Sequence, residues 1–290
     1  MEVKRILIGG LGIATALVAI ALSVERDGEP GIATLHGAEL DESAEVPVAR
    51  GEAFERTRGN LALYAPPEVA MRSGRFDLVI HFHGVPKIQR ENLEEARLRA
   101  VVVSVSEGVG STSYGRPWAA PGALDRVVKL AETEIGKNRY PNAKVGRIAL
   151  SSWSAGGAAV KGILERDADR IDAVLLADGL FSTYEDGKQK TVKKAPLAPF
   201  VAFADKASRG EKTFVLTHTA IAPTKYPNVA ECAAALLSEL DVGEPGGTTY
   251  VVERGGLRVE GMEGTGPEDH IAQIRMLDRA YTLLARRWGD

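Results

Sequence analysis

The sequence predicts an α/β fold, a mainly parallel sheet with helices on both faces, and three observations carry that prediction. Short apolar runs rich in β-branched residues recur along the chain: LALYA (61–65), FDLVIHF (76–82), AVVVSV (100–105), RIAL (147–150), IDAVLLA (171–177), FVLTH (214–218) and TYVVE (249–253). Near-continuous apolarity over so few residues fits strands buried on both faces of a sheet. Helix-period stretches at 123–137, 158–168, 229–240 and 270–288 separate the later runs, and alternating strand and helix is the pattern of parallel α/β proteins. Finally, 290 residues at 44% hydrophobic and 26% charged are enough for one large core.

Taken in order, the chain starts with Lys4 and Arg5 ahead of an uncharged apolar run from Ile6 to Val24. A positive start followed by an apolar run is the pattern of an export signal. The run is also long enough to cross a bilayer as one helix. Ala19-Ile20-Ala21 offers a small-x-small cleavage site. A cleaved signal peptide and a membrane anchor through residues 6–24 both stay open. In either case the positive residues favour the inner side, so the rest of the chain is expected to be exported: periplasmic, extracellular or anchored to the membrane. Residues 25–50 carry seven acids against two arginines, with Gly and Pro interspersed, and read as an acidic linker before a globular domain over 51–290. A net charge of −3 gives no basic footprint for nucleic acid. Cys232 is the single cysteine and reads as a buried thiol. Nothing in the sequence speaks to oligomeric state.

Two segments break the alternation. Residues 106–122 are rich in Gly, Ser and Pro, and residues 179–212 are long and lysine-rich, with Lys188, Lys190, Lys193 and Lys194. Long irregular segments in a compact domain are commonly loops over a site, so the second is expected to be a cap excursion. The lysines read as a solvated face rather than an anion-binding cluster.

Three serines fall within SSWSAGG (151–157), right after RIAL and before the next helical stretch. In open α/β sheets ligands bind beyond the carboxyl ends of the strands. A serine nucleophile there needs a tight strand-to-helix turn, which crowds the residues two before and two after it, so both must be small. Ser154 meets that condition, with Ser152 before it and Gly156 after it. Ser152 fails because of Leu150, and Ser151 fails because of Trp153. The bland alternative is that Ser154 caps the following helix.

A serine needs a base, and the base needs an orienting group. Of the five histidines, His270 comes last in the chain, after TYVVE and the loop GMEGTGPED, at the start of the terminal helix. For the acid, residues 217–230 contain no Asp or Glu, whereas IDAVLLADG delivers Asp178 at the end of an apolar strand, where a carboxylate is costly unless partnered. Glu231, Glu268 and Asp269 are the other candidates. His83-Gly84-Val85 ends the strand at 76–82, and the Val85 and Ala155 N–H groups could form an oxyanion hole. His81 and His83 are two apart and could share a metal if both pointed one way, but no further ligand has suitable spacing, so no metal is expected.

With HFHG at 81–84, S-x-S-x-G at 152–156, Asp178 and His270 in this order, residues 60–290 resemble the α/β-hydrolase fold superfamily. Two departures stand out: Ser152 replaces the first glycine of the motif, and the acid follows an earlier strand than usual. The resemblance implies a serine hydrolase acting on a small-molecule acyl substrate such as a carboxylic ester, through an acyl-enzyme on Ser154 and without a cofactor. Peptidase, amidase or acyltransferase activity on the same fold, or a non-catalytic binding protein, are the rival readings. Substrate contacts are expected from His83, Gly84, Trp153, Tyr114 and His218, with Trp118, Phe181 and Tyr184 available on the two irregular segments.

Overall fold

The apolar runs are continuous because the sheet is covered on both sides. Leu78, Ile80 and Phe82 enter one core, and Val79 between them enters the other. The same alternation holds at 101–103, 148–150 and 214–216, as the period of two along a strand requires. The structure, a computed structural model, describes residues 48–185, 191–223, 225–243 and 246–289. The apolar run 6–24, most of the acidic segment, Lys188 and Lys190 lie outside the described residues.

The elements in chain order are β1 (Val48–Arg50), β2 (Phe54–Arg58), β3 (Leu61–Ala65), β4 (Glu68–Arg72), β5 (Arg75–Phe82), α1 (Pro86–Glu95), β6 (Val101–Val105), α2 (Ser111–Trp118), α3 (Ala123–Asn138), β7 (Lys144–Trp153), α4 (Gly157–Asp167), β8 (Ala173–Ala177), α5 (Ala198–Ser208), β9 (Thr213–His218), α6 (Val229–Glu239), β10 (Tyr250–Arg254), β11 (Leu257–Gly261), α7 (Pro267–Arg275) and α8 (Leu277–Trp288). Sheet order is β10-β11-β9-β8-β7-β5-β6-β3-β2. From β6 through β5, β7, β8 and β9 to β11 every pairing is parallel. Antiparallel pairs lie at the margins, where β10 pairs β11 and β3 pairs both β2 and β6, and β4 pairs β1 and the start of β5. Leu93 of α1 and Leu277, Tyr281, Leu284 and Trp288 of α8 pack on one face. Residues of α3, α4, α5 and α6 pack on the other.

Several sequence-based boundaries need correction. Residues 48–50, assigned to the linker, form β1 and pair with β4, with Ala49 buried, so the globular part starts before 51. The 106–122 segment contains α2, whose buried Tyr114 and Trp118 sit one helical turn apart among Ser, Gly and Pro. The excursion at 179–212 ends early, because α5 buries Phe200, Phe203, Ala204 and Ala207 at helical spacing. TYVVE is the antiparallel margin, and the strand that pairs β9 is LRVEG, so His270 follows β11. The last helical stretch is two helices parted at Met276. Among the described residues no helix is long and apolar enough to cross a membrane.

Candidate active site

Strands β5, β7 and β8 lie side by side and end together, with Phe82 opposite Ser152 and Trp153 opposite Ala177. The residue right after each strand is a non-glycine in the left-handed region: His83 (φ 70°), Ser154 (φ 48°) and Asp178 (φ 49°). Such backbone costs on the order of 1–2 kcal/mol per residue and persists only where packing enforces it. The enforcement is visible. A Cβ on Gly156 would overlap the Phe82 carbonyl oxygen, and one on Gly157 would overlap that of Gly179. The chain after Ser154 must therefore run close against its neighbours, which turns the Ser154 side chain out of the sheet. Ser152, buried completely, satisfies the small-residue requirement on the strand side.

These turns bring Ser154, His270 and Asp178 into one hydrogen-bonded row. His270, in the first turn of α7, lies with Nε2 2.8 Å from Ser154 Oγ and Nδ1 2.9 Å from Asp178 Oδ2. Asp178 is 2% exposed, and its burial is balanced by Thr219, whose N–H and hydroxyl donate to Oδ1 (2.9 Å) and Oδ2 (2.7 Å). With Thr219 holding both oxygens as acceptors, the Asp178 carboxylate faces Nδ1 as an acceptor, so His270 carries its proton on Nδ1 and presents a bare Nε2 to the serine. Thr219 was not among the sequence candidates; its only signal was its place just after β9. The other acids have different tasks. Glu231 caps α6 with Asn228 and accepts from the Tyr184 hydroxyl, Asp269 accepts from the Gly266 N–H ahead of α7, and Glu268 is exposed.

His81 and His83 do not converge on a common point. His81 lies on β5, fully buried, donating from Nε2 to the His83 carbonyl (2.7 Å) and accepting at Nδ1 from Ser151 (3.0 Å). Burial pushes its pKa down to about 3, so it is a neutral strut under the turn. His83 lies past the strand. The Tyr114 hydroxyl donates to Gly108 O and accepts from the Glu107 N–H, which leaves His83 Nδ1 to donate to it at 3.0 Å. Burial, and secondarily nearby His270, lower the His83 pKa, keeping the ring neutral. Among the described residues no group of three His, Cys, Asp or Glu could hold a metal ion.

A cavity of about 790 Å³ opens over Ser154. His83, Ala155 and Phe181 line it, as the sequence suggested for His83 and Phe181. Other expected contacts lie elsewhere. Tyr114 is fully buried and supports His83 from behind. His218 is buried with Nε2 2.7 Å from the Tyr250 hydroxyl, turned toward β10. Gly84 (φ 125°) makes room for Ile274 of α7, whose side chain a Cβ there would strike. Trp153 stacks on the His83 ring (centroids 5.0 Å apart, 8° between planes), lies 4.9 Å from the His270 ring, and donates from Nε1 to the His270 carbonyl at 2.8 Å. It braces the histidine instead of lining the cavity. Trp118 packs edge-on against Phe82, and burial pushes the Cys232 thiol up to about 12. Lys194 pairs with Glu239 on α6.

A six-strand parallel run with helices on both faces, and a left-handed serine between the central strand β7 and helix α4, define an α/β-hydrolase-like fold. No protein-family model and no curated protein matches the chain in sequence. Similar solved structures include the ferric enterobactin esterase of Salmonella typhimurium (12% identity, TM-score 0.44, 79% of this chain and 54% of that one). Others are the enterobactin esterase of Shigella flexneri (12%, 0.47, 86% and 61%) and the acetyl xylan esterase of Aspergillus awamori (14%, 0.45, 77% and 99%). The chain thus spans little more than half the length of the two enterobactin esterases.

Proposed function

We propose that the protein is a serine hydrolase that cleaves a carboxylic ester or similar acyl bond through an acyl-enzyme on Ser154. The observation that carries this reading is the Ser154–His270–Asp178 row, at 2.8 and 2.9 Å, on a strained turn at the floor of a cavity. A helix-capping serine needs neither a histidine on its Oγ nor a carboxylate behind that histidine.

Ser154 Oγ attacks the carbonyl carbon while His270 Nε2 takes its proton. Asp178 holds the tautomer and stabilises the imidazolium. The negative oxygen of the tetrahedral intermediate faces the N–H of Ala155, at the start of the helical turn, and that of Val85, at the start of α1. The His83 N–H is excluded from that task because it donates to Val105 O at 3.0 Å. His270 then gives its proton to the departing alkoxide, the acyl group stays on Ser154, and a water activated by His270 releases it. An export signal or anchor at residues 6–24 would put this chemistry outside the cytoplasm.

Stopped-flow hydrolysis of p-nitrophenyl acetate tests the reading. The expected result is a burst of one nitrophenolate per protein ahead of the steady rate, absent in Ser154→Ala. Equal turnover by wild type and Ser154→Ala would refute it.

A further inference from the structure

The wall of the cavity restricts what acyl group can enter. Away from the Ser154–His270–Asp178 row its apolar part is built by Phe181, Ile221, Pro223, Tyr226, Pro227 and Val229. Proline at positions 223 and 227 fixes φ there, which limits the conformations open to that part of the apolar surface. Tyr226 is 47% exposed at the rim, an uncovered large ring beside the opening.

No lysine, arginine or glutamate lines the cavity among the described residues, and the carboxylate and imidazoles that do are already held by other groups. Asp178 accepts from Thr219 and His270. His270 spends both ring nitrogens on Asp178 and Ser154. His83 is held neutral. The remaining polar wall residues are uncharged: Ser111, Thr183 and Thr265 carry hydroxyls, Ser182 donates to Lys193 O (2.6 Å), and Asn228 accepts from the Glu231 N–H (2.6 Å). A carboxylate or ammonium on the acyl chain would lose its hydration here and find no counter-charge.

Resting on the serine-ester reading, we infer that the substrate is an ester of an uncharged, apolar acyl group of medium length, laid along the Phe181–Tyr226 wall. An acyl chain buries apolar surface with each methylene that enters, about a fourfold gain in kcat/KM per fully buried methylene. A cavity of this size accommodates a chain well beyond acetyl.

The test uses the full chain and esters sharing one leaving group: p-nitrophenyl acetate, butyrate, hexanoate and octanoate, and the mono-p-nitrophenyl ester of succinate. The expected kcat/KM rises roughly fourfold per methylene from acetate to hexanoate, and the succinate ester falls at least 100-fold below butyrate. Tyr226→Ala is expected to lower kcat/KM for octanoate by a larger factor than for acetate. A series that is flat or falls beyond acetate, or succinate cleaved as well as butyrate, overturns the inference. Labelling of Ser154 by a fluorophosphonate separates the two levels: labelling with a flat series refutes the acyl preference alone. A folded protein that neither labels nor turns over any ester refutes the esterase reading along with it.

Discussion

The two ends of the central strands solve opposite problems. At the amino end, Asp77 of β5 is 3% exposed and is met by Arg72 (2.8 Å) and by Arg147 of β7, which approaches both oxygens. Arg147 also lies over the Trp288 ring at 4.6 Å and donates to the Trp288 carbonyl. Both Asp77 oxygens are met by guanidinium donors, and the cluster ties α8 to the sheet. At the carboxyl end the same strands finish in three left-handed residues, His83, Ser154 and Asp178, and a serine hydroxyl directed at a histidine beneath open space. One end is built to be satisfied and the other to be poised. The difference teaches where strain is tolerated: at the strand ends where it aims side chains.

Substitutions at the two ends should therefore separate activity from stability. The largest effect is expected from Ser154→Ala or His270→Ala, each lowering esterase kcat/KM by about 10⁴-fold or more with the unfolding midpoint in urea little changed. Asp178→Asn should cost about 10³–10⁴-fold, because the amide cannot hold the Nδ1–H tautomer. At the other end, Asp77→Ala should leave kcat/KM per folded molecule unchanged and lower stability by about 3 kcal/mol in urea unfolding, since the paired arginines lose their buried partner. An activity loss in Asp77→Ala matching that of Asp178→Asn would break the contrast.

Acid sharpens it further. Burial pushes His81 down from an ordinary 6.5 to about 3, so between those values the unfolded chain binds a proton that the folded protein refuses. Stability is then full above about pH 6.5 and falls as the pH drops, by ~2 kcal/mol at pH 5 from His81 alone. His83 and His218, both lowered chiefly by burial, act in the same direction. Urea unfolding at pH 7.5 and pH 5 reads this directly, and equal stability at the two values would contradict it. The smallest effect is expected from Trp153→Phe, which keeps a ring against His83 and His270 but loses the Nε1–H bond to the His270 carbonyl. It should lower kcat about tenfold with KM unchanged, on the order of 1.4 kcal/mol.

The Ser154–His270–Asp178 row was readable from the sequence because its constraints are local. Small residues around Ser154, an acid at a strand end and a late histidine each leave a mark on the chain. Supporting residues leave none. Tyr114 and His218 carry the same side chains as substrate contacts would, and only the helix α2 and the turn after β9 decide that one supports His83 and the other faces Tyr250. Helices α2 and α5 escaped notice because Ser, Gly and Pro in the first, and a lysine-rich approach to the second, obscured short apolar periods. LRVEG was hidden by its brevity and by Arg258 and Glu260, which face each other outside the core.

An activated serine at the strained carboxyl end should react with an electrophilic phosphonate. A fluorophosphonate probe on the full chain, followed by mass spectrometry of the peptide containing Ser154, tests it most directly. The expected result is a single phosphonyl adduct on Ser154 in the wild type, none in Ser154→Ala, and severely slowed labelling in His270→Ala. A folded wild type that stays unlabelled, or labelling that proceeds equally without His270, would contradict it.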